Sequence, residues 1–91
     1  MDARSLVARN IRRIRVERGL SQEILAIDAH IDRTYVSRLE RNLENPTVAV
    51  LERLASALHC EIVEFLSSSG TGRLATLRPG RKRQKPVRAK R

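Results

Sequence analysis

Aromatic residues, cysteine and long apolar runs are scarce in this chain of 91 residues, which has one Phe, one Tyr and no Trp. The single cysteine, Cys60, excludes an internal disulfide and falls in an apolar pattern typical of a small buried residue. The only histidines are His30 and His59, and no Cys/His group has zinc-ligand spacing. We therefore expect no metal and no cofactor. The chain lacks a membrane-length apolar run and a secretory N-terminal pattern, which predicts a cytoplasmic protein.

Catalytic constellations are missing as well. No nucleophile–base pair, carboxylate pair or phosphate-cradling glycine loop can be assembled from these residues, so we expect no enzyme. The chain is also too short for two ordinary domains.

Acidic residues are confined to the first three quarters of the chain. Residues 1–69 contain ten Arg and all ten acids, and the whole net charge of +9 lies from Gly70 onward. Since that segment has too few apolar residues to offset its ordering entropy, we predict a folded domain in residues 1–68 and a disordered basic tail in 69–91. Charge alone leaves nucleic acid, an anionic membrane surface and an acidic protein open as partners.

Apolar residues recur at helical spacing through the proposed domain, and no segment alternates as a strand does. Ser21, Asp32 and Thr47 each precede such a segment and are predicted N-caps. The predicted helices are residues 3–18, a short helix after Ser21, residues 33–41, a helix from Thr47 to Leu58, and residues 61–66. We therefore predict an all-α, compact bundle of about five short helices whose apolar stripes pack together.

An ordered set of motifs runs from about Leu6 to Leu66 without gaps. It comprises S-Q-x-x-L-A at residues 21–26, Ile31, V-S-R-x-E at residues 36–40, the Asn45–Pro46 loop, and L-x-x-L-A-x-A-L at residues 51–58. This set resembles the helix-turn-helix domain of the phage repressor, Cro and restriction-controller family. The resemblance implies a lambda-repressor-like domain that regulates transcription, with its third helix in the major groove of double-stranded DNA and no membrane as partner.

The outward face of the third helix supplies the predicted base readers. Val36 and Leu39 are placed inward by their spacing, whereas four polar residues are left outward: Arg33, Thr34, Ser37 and Arg38. An arginine there can donate two hydrogen bonds to guanine O6 and N7.

The resemblance also implies phosphate contacts and one ion pair. The predicted phosphate-binding residues are Ser21, Gln22, Tyr35, Arg41 and Asn42, although Tyr35 can equally cover the second helix. Arg15 and Glu40 stand where the family often pairs its first and third helices. His30 and Asn42 replace glycines of the family pattern, and both residue types are enriched at positive φ.

Four tail residues are predicted to contact phosphates: Arg78, Arg81, Lys82 and Arg83. Because Pro79 and Gly80 lie among them, the segment also resembles the Gly-Arg core of an AT-hook. Insertion into the minor groove therefore stays open beside general phosphate attraction.

We expect a dimer that binds an inverted repeat, since two-fold pairing places the recognition helices about 34 Å apart. Our hypothesis for the dimer surface is Val48, Ile62, Val63 and Phe65. One alternative is an antitoxin that binds a small toxin protein and represses its own promoter. Another is an architectural DNA-coating protein in which the tail supplies most of the binding.

Overall fold

The computed structural model describes residues 2–68, and helices account for most of them. The elements are α1 (Ala3–Glu17), α2 (Gln22–Ala29), α3 (Arg33–Glu40), α4 (Val48–Leu58) and a terminal 3₁₀ helix (Ile62–Leu66). These residues contain no strand, so the all-α prediction is confirmed, with the fifth helix being 3₁₀ rather than α. The predicted tail over 69–91 lies outside the described residues.

Every α-helix begins at a side-chain cap. The hydroxyls of Ser21 and Thr47 accept hydrogen bonds from backbone N–H groups three residues on, at 3.0 and 3.1 Å. The Asp32 carboxylate accepts from Thr34 N at 2.8 Å. These three predicted caps are confirmed, and Asp2 adds a fourth, because the N–H of Ser5 at 2.8 Å stabilises its charged form and lowers its pKa.

The connections after the helices use left-handed residues. Gly19, with φ +73°, follows α1, and His30 and Asn42 have φ values of 60° and 63°. His59, which ends α4 with φ 56°, is a third non-glycine residue of this kind that the sequence patterns did not indicate. Each tight turn lets the next helix fold back onto the same core.

The core is formed by one apolar face of each helix. α1 packs against α3 and the 3₁₀ helix, while α2 packs against α3 and α4. The largest fully buried apolar side chains are Ile11, Ile14, Leu25, Val36, Leu39, Leu54, Leu58 and Phe65. Phe65 is 0% exposed, so its inclusion in the hypothetical dimer surface was wrong. It belongs to the core, and its 3₁₀ helix packs against α1 and α4.

One polar side chain, Asn10 of α1, is completely buried with this core. Its amide nitrogen donates to the carbonyl oxygens of Phe65 at 2.8 Å and Ser67 at 3.0 Å. Its own carbonyl oxygen accepts from Arg13 at 3.3 Å. Asn10 therefore fixes the 3₁₀ helix and the residues after it onto the side of α1.

Candidate nucleic-acid interface

The two faces of α3 differ sharply. Val36 and Leu39 are fully buried, which holds the helix on the domain. Of the predicted base readers, Arg33, Thr34 and Arg38 are exposed and Ser37 is half-buried. α3 therefore presents a continuous polar strip to solvent, with two guanidinium groups on it.

The two arginines of this strip are in different states. Among the residues that the structure describes, nothing hydrogen-bonds the Arg33 guanidinium. Arg38 instead donates from Nε to the Glu44 carboxylate at 2.8 Å and from Nη2 to the carbonyl oxygen of Leu43 at 3.2 Å. Leu43 and Glu44 belong to the loop between α3 and α4, so this loop holds Arg38 by two contacts.

The Arg15–Glu40 pair joins α1 to α3 behind this strip. Arg15 donates from Nε and Nη2 to the two carboxylate oxygens of Glu40, at 2.6 and 3.0 Å, and from Nη1 to the Leu20 carbonyl oxygen at 2.7 Å. The hydrogen bonds to Glu40 raise the pKa of Arg15. Their side chains are only 12% and 2% exposed, so this pair is part of the scaffold.

Gln22, the first residue of α2, belongs to the same network. Its amide nitrogen donates to Glu40 Oε1 at 3.0 Å, which leaves one amide hydrogen and the amide oxygen for another partner. Glu40 thus connects the start of α2, the end of α3 and the last turn of α1. This contact fixes the direction in which Gln22 projects.

The remaining predicted phosphate contacts have varied surroundings. The Ser21 hydroxyl caps α2, and Arg41 donates to the Ser37 carbonyl oxygen at 3.3 Å. The Asn42 amide nitrogen donates to the Ser5 hydroxyl of α1 at 2.9 Å, so this group is directed toward the domain. Tyr35 is half-buried against the core, and this burial together with the charge of Glu44 raises its pKa.

Sequence reasoning missed the part that Glu44 plays at this site. Arg38 and Glu44 are six residues apart, which is not a spacing that pairs side chains on a helix. Their contact depends on the left-handed turn at Asn42, which brings the loop back beside α3. The sequence contains Glu44, but its position beside Arg38 depends on the path of the loop.

The described part of the chain also bears on metal binding, thiol reactivity and membrane spans. Among residues 2–68, no cluster of three or more His, Cys, Asp or Glu side chains is placed to hold a metal ion. Burial raises the pKa of the Cys60 thiol to about 11, so it is protonated at neutral pH. No helix in these residues combines the length and apolar character that a membrane crossing requires.

Comparison with known proteins places this geometry in a family. The helix-turn-helix family model matches residues 11–65. An uncharacterised HTH-type transcriptional regulator of Sinorhizobium fredii, y4dJ, is 43% identical over 67 residues, covering 74% of this chain and 87% of that protein.

Solved structures give the same result. A hypothetical transcription factor from Neisseria, NHTF, superposes with a TM-score of 0.70 at 41% identity, covering 72% of this chain and 76% of that one. The restriction-modification controller protein C.Esp1396I, solved as a tetramer with its natural 35 base-pair operator, gives a TM-score of 0.67 at 40% identity, covering 71% and 86%. The chain belongs to the helix-turn-helix family of transcriptional regulators.

Proposed function

We propose that this protein is a sequence-specific DNA-binding regulator, a repressor or controller-type autoregulator, that binds an inverted repeat as a dimer with α3 in the major groove. The observation that carries the proposal is the polar strip of α3. Its four outward residues, Arg33, Thr34, Ser37 and Arg38, stand over the buried Val36 and Leu39. C.Esp1396I, which shares this fold at 40% identity, was solved on its operator, and this supports DNA as the partner.

The beginning of α2 supports a phosphate contact beside the groove. Helix N-termini attract anions through their free N–H groups and dipole. Gln22 keeps an amide hydrogen available there and is held in direction by Glu40. We assign Gln22 to a backbone phosphate, together with Ser21, Tyr35, Arg41 and Asn42, while the Arg15–Glu40 pair keeps the two helices in register.

The dimer surface in this proposal keeps the exposed Val48 and Val63 and adds Leu66, whereas Ile62 packs partly against the core. Val48 and Val63 are each 68% exposed, and Leu66 is 47% exposed. Apolar residues that are grouped on a surface mark interaction sites, whereas apolar residues exposed singly are ordinary. We expect Val63→Glu to give a monomer in sedimentation equilibrium, whereas Ile27→Glu on α2, which is 61% exposed, leaves the dimer intact. A dimeric Val63→Glu protein would remove this patch from the proposal.

Removing the tail tests the proposed regulator against the alternative of an architectural DNA-coating protein. If residues 1–68 form the sequence-reading domain, truncation after Ser68 keeps the preferred site but flattens the dependence of affinity on salt. Every phosphate that the tail neutralises adds about 0.9 to the steepness of log affinity against log salt, and the assigned tail residues are Arg78, Arg81, Lys82 and Arg83. Loss of sequence preference on truncation would make the tail, and not α3, the reader. The relatives y4dJ, NHTF and C.Esp1396I give no support to a toxin partner.

Selection of duplexes from a random pool with the full chain tests the proposal directly. At about 0.15 M salt, contacts driven by charge alone are partly screened. We expect enrichment of an inverted repeat with half-site centres about ten base pairs apart. A pool that stays random would contradict the proposed function.

The selected site then allows a test of α3 itself. Arg33→Ala removes a free guanidinium from the strip and is expected to lose about 1–3 kcal/mol of discrimination at one base pair. Arg53→Ala on α4 removes the same charge from an exposed position off the strip. It should lower affinity for all duplexes equally and leave the preferred site unchanged. Equal effects of the two variants on site preference would refute the placement of α3 in the groove.

A further inference from the structure

The guanidinium of Arg38 is held by one of its two hydrogen-bonding edges. An arginine has a side edge, formed by Nε and Nη2, and an end edge, formed by Nη1 and Nη2, and each edge carries two parallel N–H groups. In Arg38, Nε donates to Glu44 and Nη2 donates to the Leu43 carbonyl, and these are the two nitrogens of the side edge. On the end edge, Nη1 has no partner among the residues described, and Nη2 donates only one of its two hydrogens there.

This arrangement is specific to Arg38 within the site. Arg15 uses Nε, Nη1 and Nη2 for protein acceptors and has no complete edge left. Arg33 has both edges free and nothing to hold its four rotatable bonds. Arg38 alone in the described α3 strip combines a restrained side chain with an Nη1 group that has no partner, and its side chain is 44% exposed.

We propose that Glu44 is a positioning residue, which directs the end edge of Arg38 toward guanine O6 and N7 in the major groove. This inference rests on the proposed function and adds a specificity determinant in the loop before α4. An end-on arginine needs only Nη1 and Nη2 for a bidentate guanine contact. The contacts with Glu44 and Leu43 can therefore persist while the base is read.

The negative charge of Glu44 explains why its contact with Arg38 serves specificity more than affinity. A carboxylate near the DNA backbone is repelled by phosphates, so Glu44 lowers affinity for every duplex. In return, Arg38 is ordered before binding, and the cost of immobilising a long side chain is avoided at the correct base. Glu44 thus raises the ratio of affinities for the selected and random duplexes.

The experiment measures that ratio for the full chain on the selected duplex, on its single base-pair variants and on random DNA. The variants are Glu44→Gln, Arg38→Ala and the double variant. Glu52→Gln is the matched control, because Glu52 is an exposed acid of α4 without an ion pair among residues 2–68. Thermal unfolding of each variant verifies the fold.

We expect both glutamine variants to bind random DNA slightly more tightly, since each loses one negative charge. Only Glu44→Gln should lower the ratio, by about three- to tenfold. The loss should be confined to the base pair whose identity ceases to matter in Arg38→Ala. In the Arg38→Ala background, Glu44→Gln should produce no further change in the ratio.

Three outcomes overturn the inference and leave the proposed function standing. The first is an unchanged or higher ratio for Glu44→Gln, the higher value meaning that Glu44 competes with DNA for Arg38. The second is a loss spread over all base pairs, which a merely structural role produces. The third is an Arg38→Ala protein that keeps full discrimination. If the wild-type chain selects no site at all, the proposed function fails and the inference fails with it.

Discussion

Removing the buried amide of Asn10 should destabilise the whole domain, although this residue is on α1, far in the sequence from the proposed DNA-reading helix α3. Asn10→Ala deletes the two hydrogen bonds to the carbonyl oxygens of Phe65 and Ser67 and leaves the first of these acceptors buried without a donor. Hydrogen bonds of this kind contribute about 0.5–1.5 kcal/mol each, and a stranded buried acceptor costs about 1–3 kcal/mol. We therefore expect the free energy of unfolding to fall by about 2–4 kcal/mol.

The change is large against the stability available. At about 0.05–0.15 kcal/mol per residue, a domain of this size has only about 3–10 kcal/mol in total. The expected change lowers Tm by about 10–25 °C. Urea and thermal unfolding followed by circular dichroism measure it, with the exposed Asn45→Ala as control, expected within about 0.5 kcal/mol of wild type.

A second variant at the same position separates the cost of the lost hydrogen bonds from the cost of the cavity that alanine leaves. Asn10→Asp keeps the shape but places a carboxylate against two carbonyl oxygens, and burial there raises the pKa of the new carboxyl above its unfolded value of about 3.9. Because the folded state then binds the proton more tightly, the penalty is full at pH 7 and shrinks as the pH falls through the raised pKa. Relative to wild type at each pH, Asn10→Asp should recover stability at pH 4. An Asn10→Ala protein as stable as the control, or a penalty in Asn10→Asp that does not change with pH, would refute this reasoning.

Three further changes test other parts of the structure. Arg15→Met leaves the Glu40 carboxylate, which is 2% exposed, without its main partner, and should cost about 3 kcal/mol in urea unfolding, more than the double variant Arg15→Met/Glu40→Met. A double variant less stable than the single one would contradict this. His59→Gly relieves a left-handed residue with φ 56° and should raise the free energy of unfolding by about 0.5–1 kcal/mol, so a lower Tm would be the contrary result. Burial raises the pKa of Cys60 to about 11. A pKa raised in this way leaves about a hundredfold less thiolate, although each thiolate is a stronger nucleophile because it is more basic. The exchange of Cys60 with an aromatic disulfide reagent at pH 8 should therefore be about tenfold slower than that of a small free thiol. Unfolding in urea should remove that difference, and a fast native reaction would show that the thiol is not desolvated.

Local chemistry explains which features could be predicted from the sequence. Ser21, Asp32 and Thr47 cap their helices as expected, because an N-cap depends on only three or four consecutive residues. The left-handed turns at His30 and Asn42 were expected from the family pattern. The faces of α3 followed from the spacing of its apolar residues.

The features that were missed depend on residues far apart in the chain. The burial of Asn10 requires the carbonyl oxygens of Phe65 in the 3₁₀ helix and of Ser67 after it, which are 55 and 57 residues away. Phe65 was assigned to the dimer surface because the last helix has more apolar residues than one small core needs. Its burial depends instead on where α1 and α4 leave space. The contact between Arg38 and Glu44 required the path of a loop, which no periodicity describes.

The lengths of α2 and α3 have a consequence for how this protein works in a cell. Each has eight residues, and isolated helices shorter than about 12–15 residues are marginal in water. A peptide spanning residues 21–41 should therefore be mostly unfolded. α3 exists as a helix only while α1 supports it directly and α4 supports it through α2. Folding and operator occupancy then form one linked equilibrium, in which DNA stabilises the domain by mass action. A weakened core far from α3 would lower operator occupancy through the amount of folded protein, with the preferred sequence unchanged.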